Sequence, residues 1–138
     1  MATEGQQIKL SGVTASADLS AKQYYFVKMS GVNTVTVCAA ATEEPIGVLQ
    51  NAPTSGQAAE VCVVGVTKVS SDAALTAGNL IGTSADGQAD LKVWATDVTE
   101  FIVGRMLTTT GAAAGIGTAF VNCAVPVKAV ESDQHVGE

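Results

Sequence analysis

Residues 44–70 of the chain read EPIGVLQNAPTSGQAAEVCVVGVTKVS, and this stretch decides the fold class. Two of its segments, Ile46–Gln50 and Ala59–Val69, are rich in apolar and β-branched residues and predict two strands. The segment between them favours turns, because Pro53 fixes φ and lacks an N–H whereas Gly56 accepts positive φ. The stretch therefore predicts a β domain.

The second predicted strand is apolar on both faces. Simple alternation puts on one face Val61, Val63 and Val69, and on the other face Cys62, Val64 and Val66. A strand with two apolar faces is covered on both sides, so we expect it to lie at the centre of the domain. Gly65 interrupts the pattern and predicts a bulge or a corner.

The rest of the composition supports the same fold class. Among 138 residues there are one Trp, two Tyr and three Phe, and β-branched Val and Thr dominate instead. We therefore expect an all-β protein, a small compact barrel or sandwich with short helical turns in Ala15–Gln23 and Ser71–Gly78. Residues 1–12 are interpreted as an N-terminal arm or edge strand, residues 13–128 as a single β domain, and residues 129–138 as an acidic, flexible tail.

Local patterns predict the remaining strands. The dipeptide Asp86-Gly87 indicates a hairpin turn between Leu80-Ile81 and Leu91–Val93. The aromatic run that starts at Tyr24 is interpreted as core rather than as a ligand platform. Further strands are expected at Tyr24–Met29, Asn33–Cys38, Phe101–Thr108 and Thr118–Val127.

Charge and hydropathy argue against two classes of partner. The net charge is −6, and the six lysines are scattered rather than clustered, so we expect no nucleic-acid partner. The uncharged stretch between Arg105 and Lys128 is broken by Gly and polar residues, so we expect no membrane partner. The N-terminus lacks the basic and apolar regions of a signal peptide, which indicates synthesis in the cytoplasm of the host cell.

Few residues suit catalysis. The single histidine, His135, lies in the predicted tail, where it cannot join a nucleophilic triad or a proton shuttle. The adjacent Glu43 and Glu44 point apart, so they predict a solvated loop rather than an acid–base pair. We therefore expect that the protein is not an enzyme and has no catalytic residues.

The three cysteines also predict a structural role. They are widely spaced, they lie among Val and Ala in predicted strands, and no C-x-x-C pair is present. We interpret them as buried free thiols and expect no metal site and no cofactor. They are Cys38, Cys62 and Cys123.

Three further segments are candidates for contacts. Gln6–Ser11 alternates, with Ile8 and Leu10 opposed to the polar residues, and is either an ordinary edge strand or an arm that adds to a sheet of another protein. Trp94 is expected to cap one end of the core or to lie at a subunit boundary. Arg105, the single arginine of the sequence, is interpreted as part of an ion pair within or between subunits, with ligand binding as the alternative.

One set of motifs resembles a known family. The runs Pro45-Ile-Gly-Val, Gln50-Asn-Ala, Glu60-Val-Cys-Val-Val-Gly65-Val and Leu75-Thr-Ala-Gly78-Asn-Leu, with the Gly56 turn, are similar to those of small tailed-phage capsid decoration (cement) proteins. These proteins share a role with the head decoration protein of phage lambda. The resemblance extends from Ala15 to Val127 and is carried by turn glycines and valines rather than by catalytic residues.

The resemblance implies a virion protein on the capsid exterior that binds the major capsid protein, often as a homotrimer, and stabilises the mature head. It also implies that the N-terminal strand contacts the capsid through Gln6, Ile8 and Leu10, and it supports an intersubunit contact at Trp94 and Arg105. Two alternatives remain. One is a carbohydrate- or other ligand-binding β module without catalysis, and the other is a small β-barrel enzyme with a pocket around Arg105.

Overall fold

The computed structural model of the chain describes residues 2–130, and this part is all-β. The described residues contain no helix, and therefore none long and apolar enough to cross a membrane. The sheet does not close into a barrel, so of the two predicted architectures the structure matches the sandwich. The strands of residues 2–130 are β1 (Gln7–Leu10), β2 (Thr14–Ala15), β3 (Phe26–Gly31), β4 (Thr34–Val37), β5 (Gly47–Leu49), β6 (Val61–Ser70), β7 (Leu80–Thr83), β8 (Ala89–Leu91), β9 (Phe101–Ile102), β10 (Gly104–Met106), β11 (Ile116–Asn122) and β12 (Val127–Lys128).

The ten-residue strand β6 is the centre of the fold. Its Cys62 pairs with Val48 of β5 and with Lys9 of β1, so β5 and β1 lie on opposite edges of β6. Val64 pairs with Ile8 of β1 and also with β11, so β11 lies on the same edge as β5 but farther along the strand. The sheet therefore divides at this edge of β6 into two layers, one in the order β5-β3-β4-β2 and the other in the order β11-β10-β7-β8.

Two clusters of buried hydrophobic side chains pack against these layers. The larger one takes side chains from both layers, including Phe26 and Val48 from the first and Ile81 and Val121 from the second. The smaller one covers the other face of the first layer with Val13, Ala15, Leu19 and Ala59. Because β6 contributes to both clusters, its predicted central position is confirmed.

The predicted faces of β6 are partly wrong. Val61 belongs to the smaller cluster, whereas Cys62 and Val63 both belong to the larger one. The reason is a bulge: β1 pairs with Cys62 and Val64 and skips Val63. At this point successive side chains of β6 no longer alternate regularly between its two faces. Gly65 has a different role. Its φ is +141°, and a Cβ at this position would overlap the Gln6 carbonyl oxygen, so Gly65 allows β1 to lie close against β6.

Two predicted elements differ in the structure. The helical turn expected in Ala15–Gln23 is a hydrogen-bonded reverse turn, in which the Lys22 N–H donates to the Leu19 carbonyl at 2.9 Å, and Ser71–Gly78 likewise forms no helix. Leu19 is buried, so packing rather than helix propensity fixes this short segment. The single strand expected at Phe101–Thr108 is divided at Val103 into β9 and β10, which belong to different sheets.

The division at Val103 changes the orientation of Arg105. In a single regular strand Val103 and Arg105 would share one face, but Val103 is buried in the larger cluster whereas Arg105 is exposed. The predicted hairpin at Asp86-Gly87 is confirmed, since β7 and β8 pair antiparallel across it and Gly87 has a φ of +84°.

Candidate docking surfaces

The first surface is the outer edge of β1. Within the described chain β1 pairs with β6 alone, so its other edge is unpaired. Gln6 is exposed and Ile8 is 66% exposed, whereas Leu10 packs against both hydrophobic clusters. The predicted half-buried pair of Ile8 and Leu10 is therefore wrong, because the register shifts between Ile8 and Lys9 and turns Ile8 outward.

The residues before β1 are also bound to the domain. The Thr3 N–H donates to the Thr118 hydroxyl at 2.7 Å, and the same hydroxyl donates to the Thr3 carbonyl at 3.2 Å. The Gly5 N–H donates to the Val66 carbonyl at 3.0 Å. These bonds attach the chain from Thr3 to Leu10 to its own sheet, with the side chains of Gln6 and Ile8 facing solvent.

The second surface is a groove of about 220 Å³ on the outer face of β7, β10 and β11, called here the Arg105 groove. Arg105 pairs with Leu80 of β7 and with Phe120 of β11, so these three side chains share one face of the sheet. Phe120 is 45% exposed and Val125 is 68% exposed. None of the residues that line the groove is acidic; they are Leu80, Ile102, Val103, Gly104, Arg105, Phe120, Asn122 and Val125.

Arg105 makes one polar contact within the described residues, an Nη1–H donated to the Gly78 carbonyl at 3.1 Å. No carboxylate of residues 2–130 forms an ion pair with it, so the ion pair expected within the chain is wrong for this range. A contact between subunits stays a prediction. The guanidinium keeps further N–H donors directed into a groove with apolar walls.

Trp94 lies in the loop after β8 and outside the Arg105 groove. Its side chain is 44% exposed, and it is flanked by Val93, which is 45% exposed. The loop is held to the domain by an Ala95 N–H donated to the Ala129 carbonyl at 2.8 Å and by a Val93 N–H donated to the Asp97 carboxylate at 2.7 Å. The structure therefore places Trp94 on the surface rather than over the core.

A buried cation lies beside the groove. Lys92 is fully buried beneath β9 and the loop of residues 93–100. The strand β12 pairs with β9, and the loop, β9 and β12 are together called here the flap. Its ammonium donates to Glu100 and lies 3.5 Å from Asp90 Oδ2. Gly82 makes this packing possible, because a Cβ there would overlap the Phe101 carbonyl oxygen and lie 2.9 Å from Lys92 Cε. Sequence reasoning missed this cluster, since no local pattern marks a lysine that will be buried.

A second lysine–glutamate pair corrects the prediction for Glu43. Lys28 donates to its carboxylate, and so do the backbone N–H groups of Ala39 and Ala40. Burial alone would raise the pKa of Glu43, but these hydrogen bonds outweigh it and hold the pKa of Glu43 below its usual range. Glu43 is therefore only partly exposed and closes its loop through these bonds, beside an open cavity of about 420 Å³ that Cys123 also lines, whereas Glu44 is exposed as predicted.

The prediction of buried free thiols is confirmed for all three cysteines. Burial raises the pKa of Cys38 to about 12 and that of Cys62 to about 11, and it raises the pKa of Cys123 further. Thiols with such pKa values stay protonated and unreactive at neutral pH. Across residues 2–130 no three His, Cys, Asp or Glu side chains cluster in the manner of a metal site. His135 lies outside the described residues.

The aromatic run is core only in part. Phe26 is buried in the larger cluster, whereas Tyr24 and Tyr25 are half-buried. The Lys22 ammonium lies 4.9 Å from the centroid of the Tyr25 ring, and the Lys68 ammonium lies 5.7 Å from that of Tyr24. Each lysine therefore covers one face of its tyrosine ring.

Comparison with solved structures gives a likeness in fold. The chain resembles the N base of the head fiber gp8.5 of bacteriophage phi29, with a TM-score of 0.60 and 14% sequence identity, and the match covers 86% of this chain and 96% of that chain. No family model matches the sequence. No curated protein matches it either. At this identity the likeness shows a shared fold.

Proposed function

We propose that the chain is a structural protein of a tailed-phage head that acts as a decoration or cement protein on the outer surface of the capsid. The observation that supports this proposal is the fold shared with a phage head fiber base over 86% of this chain and 96% of that one. Such coverage matches one whole domain to another rather than a common β-hairpin. The motifs that resemble decoration proteins support the same class.

The proposed activity is binding without catalysis. A protein that binds the expanded capsid and not its immature form stabilises the expanded form by mass action. The capsid repeats the binding surface many times, so a small interface per copy is sufficient. The partner is the major capsid protein, and the protein is made in the host cytoplasm before it joins the virion.

The edge of β1 is the proposed capsid contact. Its outer edge offers unpaired backbone groups to a strand of the partner, and Gln6 and Ile8 lie beside that edge on the surface. Leu10 contributes indirectly, because it anchors β1 to both clusters. The proposed subunit contacts, Trp94 and Arg105, lie on other parts of the surface and are suited to contacts within a homotrimer.

Co-sedimentation of the purified protein with immature and expanded shells of its own phage tests the proposal. We expect saturable binding to the expanded shells and none to the immature ones. If a demonstrably folded protein binds neither, the decoration proposal is wrong and the ligand-binding β module becomes the better hypothesis. Equal binding to both forms would contradict stabilisation of the mature head.

Ile8→Asp tests the contact at β1 without removing the strand. Because Ile8 is 66% exposed, the substitution should leave the fold intact and weaken shell binding by about tenfold or more. Val32→Asp is the matched control, since Val32 is 90% exposed in the turn between β3 and β4. Equal shell binding by the two variants would contradict a contact at the edge of β1.

A further inference from the structure

We propose that the Arg105 groove is a contact surface between copies of this chain, and that its guanidinium binds a carboxylate of the next copy in a head-to-tail arrangement. The proposal deepens the subunit contact named above and rests on the proposed function for its setting, a trimer on the capsid. Self-association, however, can be measured without a capsid.

The composition of the groove supports an interface. Phe120 and Val125 present exposed apolar surface in the same groove as the guanidinium. The cores of protein interfaces are enriched in aromatic residues and arginine and depleted of other charges, which is the combination found here. No carboxylate of residues 2–130 lines the groove, although the sequence has 13 acidic residues against seven basic ones.

Charge complementarity selects the partner. Arg105 has one acceptor in the described chain, the Gly78 carbonyl. Its remaining N–H groups are therefore able to donate to both oxygens of a carboxylate in bidentate geometry. With a net charge of −6, the rest of the chain offers an acidic surface to this groove. A second copy is therefore an electrostatically suitable occupant.

The same charges decide the symmetry of the contact. In a two-fold contact centred on the groove, each Arg105 would face the Arg105 of the partner, and the like charges would repel each other. A head-to-tail contact avoids this repulsion, because the groove of one copy meets a different, acidic surface of the next. Head-to-tail contacts that close on themselves form rings such as trimers.

The acidic surface assigned to the next copy is the turn between β7 and β8. Asp86 is exposed there, and its carboxylate forms no ion pair within residues 2–130, whereas its backbone N–H donates to the Ser84 hydroxyl at 3.1 Å. Burial raises the pKa of the nearby Asp72, and the charges of Asp90 and Asp86 raise it further, although Lys92 acts in the opposite direction. These carboxylates repel one another, and a guanidinium from a neighbouring copy would relieve that repulsion.

The test is sedimentation velocity of the full chain over a range of concentrations at low salt, with three single variants and one double variant. We expect the wild type to self-associate, Arg105→Glu to weaken association by about tenfold or more, and Asp86→Arg to weaken it as well. The control is Lys22→Glu, which makes the same change in net charge as Arg105→Glu at a lysine that lies outside both the groove and β1, and it should change association by less than about twofold. The double variant R105E/D86R should regain association, because it exchanges the two charges.

Several outcomes would overturn the proposal. These are a wild type that stays monomeric throughout, an R105E variant that associates like the wild type, and equal losses of association in R105E and K22E. If R105E loses association but the double variant does not recover it, the assignment of the β7–β8 turn is wrong. Thermal unfolding of each variant excludes misfolding as the cause.

Shell binding separates this proposal from the proposed function. If the wild type self-associates through Arg105 but binds no shells, the decoration proposal fails and the contact between copies stands. If the wild type binds expanded shells but is monomeric alone, the contact between copies fails and the decoration proposal stands.

Discussion

Two cations flank Leu80 on the same face of the sheet, and they differ in burial and in their counterions. The Lys92 N–H donates to the Leu80 carbonyl at 2.9 Å on one side, and Arg105 pairs with Leu80 on the other. Lys92 is fully buried under the flap and is held by Glu100 and Asp90. Arg105 is exposed and contacts a single carbonyl oxygen within residues 2–130.

The difference shows where the chain supplies its own counterions. A buried ammonium is costly unless carboxylates pair with it, and the loop that forms part of the flap provides one at Glu100. The flap ends beside the groove, where Ile102 of β9 forms one wall, and it provides no acid for Arg105. The contrast between the two cations indicates that residues 2–130 provide a carboxylate for Lys92 and none for Arg105, as the proposed contact with a second copy requires.

The substitution expected to cost the most is Glu100→Gln. It leaves a fully buried ammonium with Asp90 alone, so we expect the free energy of unfolding to fall by about 3 kcal/mol. Urea unfolding followed by circular dichroism measures the change. Glu44→Gln is the control, since Glu44 is exposed and should change stability by less than about 0.5 kcal/mol. Equal effects of the two substitutions would show that the buried pair is not needed.

Gly82→Ala tests the packing of the flap on the sheet. The new Cβ would overlap the Phe101 carbonyl oxygen and approach Lys92 Cε, so the flap must move, at an expected cost of about 2 kcal/mol. Hydrogen exchange should show faster exchange of the β9 and β12 amides than in the wild type. Gly111→Ala, which meets no atom within 4 Å, should leave both measurements unchanged. Unchanged exchange in Gly82→Ala would contradict the close approach.

Lys92→Met should cost less than Glu100→Gln. The methionine fills the buried space without a charge, and Glu100, which is 21% exposed, can then be hydrated. We expect a loss of about 1 kcal/mol in the same urea experiment. If Lys92→Met lowers the free energy of unfolding by more than Glu100→Gln does, the Lys92–Glu100 pair contributes strong net attraction. Removing the buried ammonium would then cost more than leaving it without Glu100, contrary to our expectation.

Arg105→Ala should have the smallest effect on stability. The side chain is exposed and its one contact is with a carbonyl oxygen, so we expect a change within about 0.5 kcal/mol. Self-association, measured by sedimentation velocity, should nevertheless weaken. A large loss of stability in the monomer would show that Arg105 serves the fold itself and would break the comparison with Lys92.

The features that sequence predicted correctly are those that local patterns determine. The apolar run of β6 indicated a central strand, Asp86-Gly87 indicated a hairpin, and cysteines among Val and Ala indicated buried thiols. Each of these signals lies within a few residues of the feature that it predicts.

The features that sequence missed depend on contacts between distant segments. Lys92 is buried because a later part of the chain folds over it, and the bulge at Val63 is defined by pairing with β1, more than fifty residues earlier. The division at Val103 follows from the assignment of β9 and β10 to different sheets. Of the candidate contact residues, sequence identified Arg105 by its rarity but could not predict the apolar groove around it.

The position of β6 also has a consequence for biosynthesis. One edge of this strand is completed by β1, from the start of the chain, and the other by β11, which ends at Asn122. Pairing between residues so far apart makes folding slow, because long loops must close before the contacts form. A ribosome that has translated β6 but not β11 therefore holds a chain in which β6 is unpaired along most of one edge, because β5 pairs there only with Val61 and Cys62. Such a chain is most exposed to aggregation during translation of the segment between β6 and β11.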